Sequence, residues 1–163
     1  MATVTTIATV KAALIDEIQN LAIASATAAA PAEVQVSYGR PPADQVRSEG
    51  IFWDDEMRTV TDAEYRLQAG RRTRFYTWQL ELVCHSQIIT DTEDAELRCM
   101  AIAAAVETYL AANAQPAEWA TTAVASGALT VLVTGFEVEQ TENAEGFKAV
   151  EARLLIDVLE RLV

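Results

Sequence analysis

The sequence is short of what most catalysts and membrane proteins display. It holds two cysteines, Cys84 and Cys99, and a single histidine, His85. Two cysteines are too few for a disulfide framework, and a reduced, cytosolic setting suits them better. Six glycines and four prolines in 163 residues exclude collagen-like and low-complexity chains. No apolar run approaches the roughly 18 residues of a membrane span. The most apolar stretch, 21–30, is mainly alanine and stops at Pro31. The first residues make a poor signal peptide, because Lys11 is the first base and Asp16 and Glu17 break the apolar region. No phosphate loop, dinucleotide fingerprint, Gly-x-Ser-x-Gly or His-Glu-x-x-His occurs. The sequence therefore supports neither an enzyme nor a cofactor.

Bases are scarce as well. Twelve Lys and Arg stand against 24 Asp and Glu, for a net charge of -12. Such a balance argues against a protein that grips nucleic acid through its phosphates. The charge is unevenly placed. Residues 40–74 hold seven arginines and seven acids, whereas residues 75–163 hold four bases against fourteen acids.

What is present is a globular composition, 51% hydrophobic and 22% charged. At this length one domain spanning 1–163 buries about 70% of its unfolded surface. Ile7, Val10, Leu14, Ile18 and Leu21 recur at helical spacing and predict a helix over 5–29, ended by Pro31. Val34, Val36 and Tyr38 alternate in a short strand, and Ile51–Trp53 reads as a second. A long loop or loosely paired arm is expected over about 54–70. Arg74–His85 is a longer strand with Tyr76, Trp78, Leu80, Leu82 and Cys84 on one face and Thr77, Gln79, Glu81 and His85 on the other. Thr90–Glu93 has capping-box spacing. A helix follows to about Asn113, with the stripe Ala95, Cys99, Ile102, Val106, Tyr109 and Leu110 and slim alanines between. Leu129–Gln140, irregular at Gly135, and the alternating residues around 150–158 form a closing hairpin. The fold class is α+β: an antiparallel or mixed sheet with two helices packed on one face.

The candidate sites are surfaces rather than chemistry. His85 reads as an exposed histidine pointing away from Cys84, so the two form no nucleophile–base pair. The cysteines read as small core residues. Asp54, Asp55 and Glu56 are three consecutive acids that cannot converge on one ion, so solvation or pairing with a neighbouring chain suits them better than metal. Arg71, Arg72 and Arg74 run into aromatics, a pattern found in single-strand nucleic-acid binders. The acidity of the whole chain favours ion pairs with another subunit instead. Locally neutral 40–74 is then the expected subunit contact. Arg40, Arg71, Arg72 and Arg74 would meet acids such as Asp54 and Asp55, with Phe52 and Trp53 as apolar anchors.

Taken in order, several segments resemble a known family. They are Val34-Gln-Val-Ser-Tyr-Gly-Arg-Pro-Pro42, a Trp-containing strand, the arginine-led strand Arg72–Val83, the helix segment Ala103–Ala112, and a hairpin containing Val133-Thr-Gly-Phe-Glu-Val-Glu139. Together they resemble the tail-terminator (tail-completion) proteins of long-tailed bacteriophages, particularly those of actinobacteria. The resemblance implies an α/β sandwich assembled as a hexameric ring. That ring would cap the major tail tube protein, end tail growth and meet a head-completion or neck protein. It also implies residence in the virion tail or neck, with assembly in the host cytoplasm. Implied too are the absence of catalytic residues and a central channel through which DNA passes without stable binding. Acids of the last hairpin, Glu137, Glu139, Glu142 and Glu145, are the expected channel lining. The alternatives are another neck or head–tail connector protein of similar fold, or a small acidic α+β protein-binding module.

Overall fold

The computed structural model describes residues 3–26, 33–54, 64–68, 71–88, 92–115, 128–142 and 148–162. In order they form α1 (Thr3–Asn20), β1 (Gln35–Ser37), β2 (Glu49–Trp53), β3 (Glu64–Gln68), β4 (Arg71–Ile88), α2 (Thr92–Ala112), β5 (Ala128–Glu142) and β6 (Lys148–Leu162). The strands make one sheet in the order β1-β2-β4-β6-β5, with β3 paired to the first residues of β4. All neighbours are antiparallel except β1 and β2, which run parallel, so the sheet is mixed and the class is α+β.

Alternation along the strands places one apolar face under both helices. Ile7, Val10, Leu14 and Ile18 of α1 and Cys99, Ile102, Val106 and Leu110 of α2 join a single buried cluster. The sheet contributes Ile51 and Trp53 of β2, Leu80, Leu82 and Cys84 of β4, and Val150 to Val158 at alternate positions of β6. Trp78 packs against this cluster, so the face expected for β4 meets the stripe expected for α2. Acidic Glu93 and Asp94 occupy the first turn of α2, where the helix dipole favours them. Asn113 closes its end, its backbone N–H and its Nδ2 both donating to the Tyr109 carbonyl (3.0 and 2.9 Å). The expected capping residues at 90–91 lie outside the described residues.

Two expectations need correction, and the open choice between an antiparallel and a mixed sheet is settled. The first helix stops at Asn20 rather than near 29. Beyond Leu21 the only large apolar side chain before Pro31 is Ile23, and Ala22 takes a left-handed conformation (φ 48°) that turns the chain. Ile23 then accepts a bond from the Val34 N–H (2.8 Å) and Ala24 bridges Glu33, so tertiary pairing overrides the helix propensity of alanine. The first strand runs parallel to its neighbour, not antiparallel. The return is organised by the Gln35 amide, which donates to the Gln45 carbonyl (3.2 Å) and accepts from the Arg47 N–H (3.0 Å). Finally, the arm is a strand over Glu64–Gln68, hairpin-paired from Glu64↔Phe75 to Gln68↔Arg71. Residues 55–63 lie outside the described residues.

The irregularity at Gly135 is present as a register shift between Val133 and Gly135. A Cβ there would come within 2.7 Å of Leu155 Cδ1 and 3.3 Å of its Cβ, so glycine permits the close approach of the two strands.

Ile102 is fully buried between helix and sheet. Replacing it by Asp should cost about 3–5 kcal/mol, since the carboxylate would have no cation to pair with in the core. The urea midpoint of the Ile102→Asp variant measures this, and an unchanged midpoint would place the core on another face of α2.

Candidate functional site

The helix-free face of the sheet is where the charged side chains gather. Arg153, on β6, is opposite Val83 of β4 and Glu137 of β5. Its Nη1 donates to Asp54 Oδ2 at 2.9 Å and to Glu81 Oε2 at 3.4 Å. Its Nη2 lies 3.6 Å from Glu139 and 3.8 Å from Glu151. One row away, Arg40 forms a two-bonded pair with Glu151 (2.9 and 3.1 Å) and stacks its guanidinium 4.7 Å above the Phe52 ring. The cluster thus sets two guanidiniums against four carboxylates. Glu137 and Glu139 stand exposed at its β5 side.

His85 belongs to this face, though not as an exposed residue. It is 7% exposed and sits opposite Gly50 and Glu151 in the strand registers. Burial holds its imidazole below the ordinary value; Glu151 opposes the shift and Arg40 adds to it. Its Nε2 has no hydrogen-bond partner among the described residues. The reading of His85 as a solvated side chain is therefore corrected: alternation gave the right face, but that face is covered.

A second buried charge lies on the helix side. Glu49 is 1% exposed, and its carboxylate accepts from Arg98 Nε (2.6 Å), Ser25 Oγ (2.6 Å) and the Ala26 N–H (3.0 Å). Arg98 also donates to the Ala24 carbonyl. Burial alone would raise the Glu49 pKa, but the bonds from Arg98, Ser25 and Ala26 outweigh it and hold the group below its ordinary value. The pair joins β2, α2 and the segment after α1.

The expected subunit contact is redistributed by these positions. Phe52 and Trp53 are 2% and 1% exposed. Trp53 points into the core, where its Nε1 donates to the Lys11 carbonyl (3.0 Å) and the Lys11 ammonium lies 5.5 Å from its ring. Neither aromatic is a surface anchor, because residues on both faces of β2 are buried. Arg40 and Asp54 are held by Glu151 and Arg153 of the same chain. The side chains of Arg71, Arg72, Arg74, Asp55, Glu142 and Glu145 lie outside the described residues. The backbone nonetheless places the three arginines at the start of β4, in the hairpin with β3.

The cysteines are interior, as expected. Cys99 Sγ lies 3.0 Å from the Cys84 carbonyl, and burial pushes the Cys99 thiol up to about 12 and the Cys84 thiol well above its ordinary value. Neither has the thiolate character of a nucleophile. No group of three metal-ligating side chains occurs among the described residues, and none of the described helices is long and apolar enough to cross a membrane.

Sequence reasoning missed Arg98, Arg153, Glu49, Glu81 and Glu151 as partners. A signal existed: Arg98 and Arg153 are two of only four bases in the acidic stretch 75–163, and both neutralise buried acids. The chain matches no protein-family model and no curated protein sequence.

Two outcomes follow from these buried charges. Arg98→Ala would leave the Glu49 carboxylate in the interior without its cation and should destabilise the fold by about 3–5 kcal/mol, read as a lowered urea midpoint. The double replacement Glu49→Gln with Arg98→Met should recover much of that loss. His85 supplies the pH dependence. Its unfolded pKa is about 6.5 and its folded value is lower. Its contribution is therefore complete above about pH 6.5 and is lost as pH falls toward the folded value, because the unfolded chain binds the proton first. The unfolding free energy from urea melts should drop between pH 7.5 and 5.5 by at most about 1.4 kcal/mol per pH unit, and this drop should shrink in His85→Gln.

Proposed function

We propose that this protein is a virion assembly component of tail-terminator type. Copies of the chain form a ring, hexameric by the resemblance, that caps the major tail tube protein and ends its growth. The opposite side of the ring meets a head-completion or neck protein. The proposed location is the tail or neck of the virion, with assembly in the host cytoplasm.

The observation that carries the reading is the division of labour in the sheet. One face seals the core beneath both helices, and the other holds, beside buried Phe52 and Val83, a cluster of two arginines and four carboxylates. Interactions hold Arg40 and Arg153 on that face, while acids outnumber them and Glu137 and Glu139 reach solvent. A surface of this kind suits a channel wall. Fixed negative charge repels the DNA backbone, so the duplex slides without phosphate contacts that would retard it. The order of elements adds support, since the short strand, Trp-bearing strand, arginine-led strand and long hairpin of the resemblance share one sheet, with the helix segment 103–112 packed on it.

Deletion of the gene from a phage that encodes it should leave filled heads beside overlong or unjoined tails in electron micrographs. Normal infectious particles from the deletion would overturn the reading. A protein that instead captures a host partner, with no tail phenotype, would point to the acidic binding module.

A further inference from the structure

We propose that the β3–β4 hairpin of one copy docks along the free edge of β5 in the next copy, joining the ring head to tail. The proposal rests on the ring reading above and adds the contact that closes it.

The two surfaces lie at opposite ends of the same sheet. β6 occupies one flank of β4, so β3 and β2 share the other flank, while β5 ends the sheet beyond β6. Near its start β5 is met by the chain leaving α2, where the Val131 N–H donates to the Ala114 carbonyl (2.9 Å). From there to Gln140, β6 is its only strand partner among the described residues. An edge of this length is a template for another chain unless something covers it. Along it Phe136 and Val138 are exposed large apolar side chains, alternating with exposed Glu137 and Glu139. Gln140 Nε2 donates to Glu96 Oε2 (2.9 Å), which brings the end of β5 beside α2, where Leu97 and Met100 are exposed too.

Charge selects the occupant. Residues 128–142 contain three acids and no base, whereas the hairpin residues 64–75 contain four arginines and one acid, Glu64. Two β5 edges brought together would set like charges side by side, and so would two hairpins. The cross pairing sets arginine against glutamate, which favours it over both alternatives. A contact between two different patches is heterologous, and repeating it gives a ring when the rotation between copies closes. Asp54 is already held by Arg153, and Phe52 and Trp53 are buried, whereas the β5 edge offers both exposed acids and exposed apolar side chains.

The test is charge reversal with complementation, using the full chain and reading mass by sedimentation. One variant carries Arg71→Glu and Arg72→Glu. The other carries Glu137→Lys and Glu139→Gln, the second change being kept mild because Glu139 lies 3.6 Å from Arg153. Each alone should keep its circular dichroism and weaken self-association at least about tenfold. An equimolar mixture should regain assembly by alternating the two variants, because the reversed hairpin of one meets the reversed β5 edge of the other and the two unaltered patches meet each other. Variants that assemble like the wild type, or a mixture that stays dissociated, would overturn the contact. A wild-type chain that remains monomeric at every soluble concentration would overturn it as well. The tail phenotype of the gene deletion judges the terminator reading separately.

Discussion

A charge taken out of water must be matched on the spot, and this requirement organises the domain at two points. Glu49 lies inside, beneath the helices, and is kept ionised by a guanidinium, a hydroxyl and a backbone N–H that come from different parts of the chain. Those donors fix how α2 sits over β2 and where the chain goes after α1. A buried pair of this kind adds little net stability over a well-packed apolar replacement, yet it penalises every arrangement in which one member is unpaired. Its effect is to single out one docking of the helices on the sheet. On the opposite face Arg153 plays the same part for Asp54 and Glu81, tying β6 to β4 and to the end of β2.

The same requirement shapes the exterior. The chain has half as many bases as acids, and Arg40, Arg98 and Arg153 are engaged within the fold. Each arginine used internally neutralises an acid that the solvent would otherwise have carried. Along the chain, acids concentrate in the last hairpin and arginines in the β3–β4 hairpin, a polarity laid out across the width of one sheet. The proposed channel wall and the proposed contact are two consequences of that layout.

Periodicity made much of this architecture legible in advance. The stripes of α1 and α2 and the alternation of β4 and β6 each report burial directly, and the faces expected for Leu80, Leu82, Cys99 and Ile102 meet in the core. Less legible were features set by partners distant in sequence. Nothing local in 21–26 says that the chain will pair with Glu33 and Val34, and nothing local in Gln35 says that its amide will fold 45–47 back into a parallel strand. His85 was placed on the correct face but read as exposed, because polarity is a weak guide to burial on a face where Arg40 and Arg153 gather carboxylates around it. Phe52 and Trp53 show the converse: aromatics beside acids look like an interface, whereas here both sides of their strand are covered.

The position of β6 has a bearing on how the molecule comes into being. It is the last of the described strands in the chain, yet it lies between β4 and β5 and contacts both along their length. Leu80 and Leu82 find their neighbours Ile156 and Leu154 only when that segment has left the ribosome, several seconds after β4 at roughly 10 residues per second. Until then the nascent chain holds a long strand with one flank unfilled and a helix with half its floor missing. Pairings this distant in sequence form slowly and together rather than one by one. A partly made chain therefore has no β5–β6 ladder, and under the proposed contact it has no finished β5 edge to present to a neighbour.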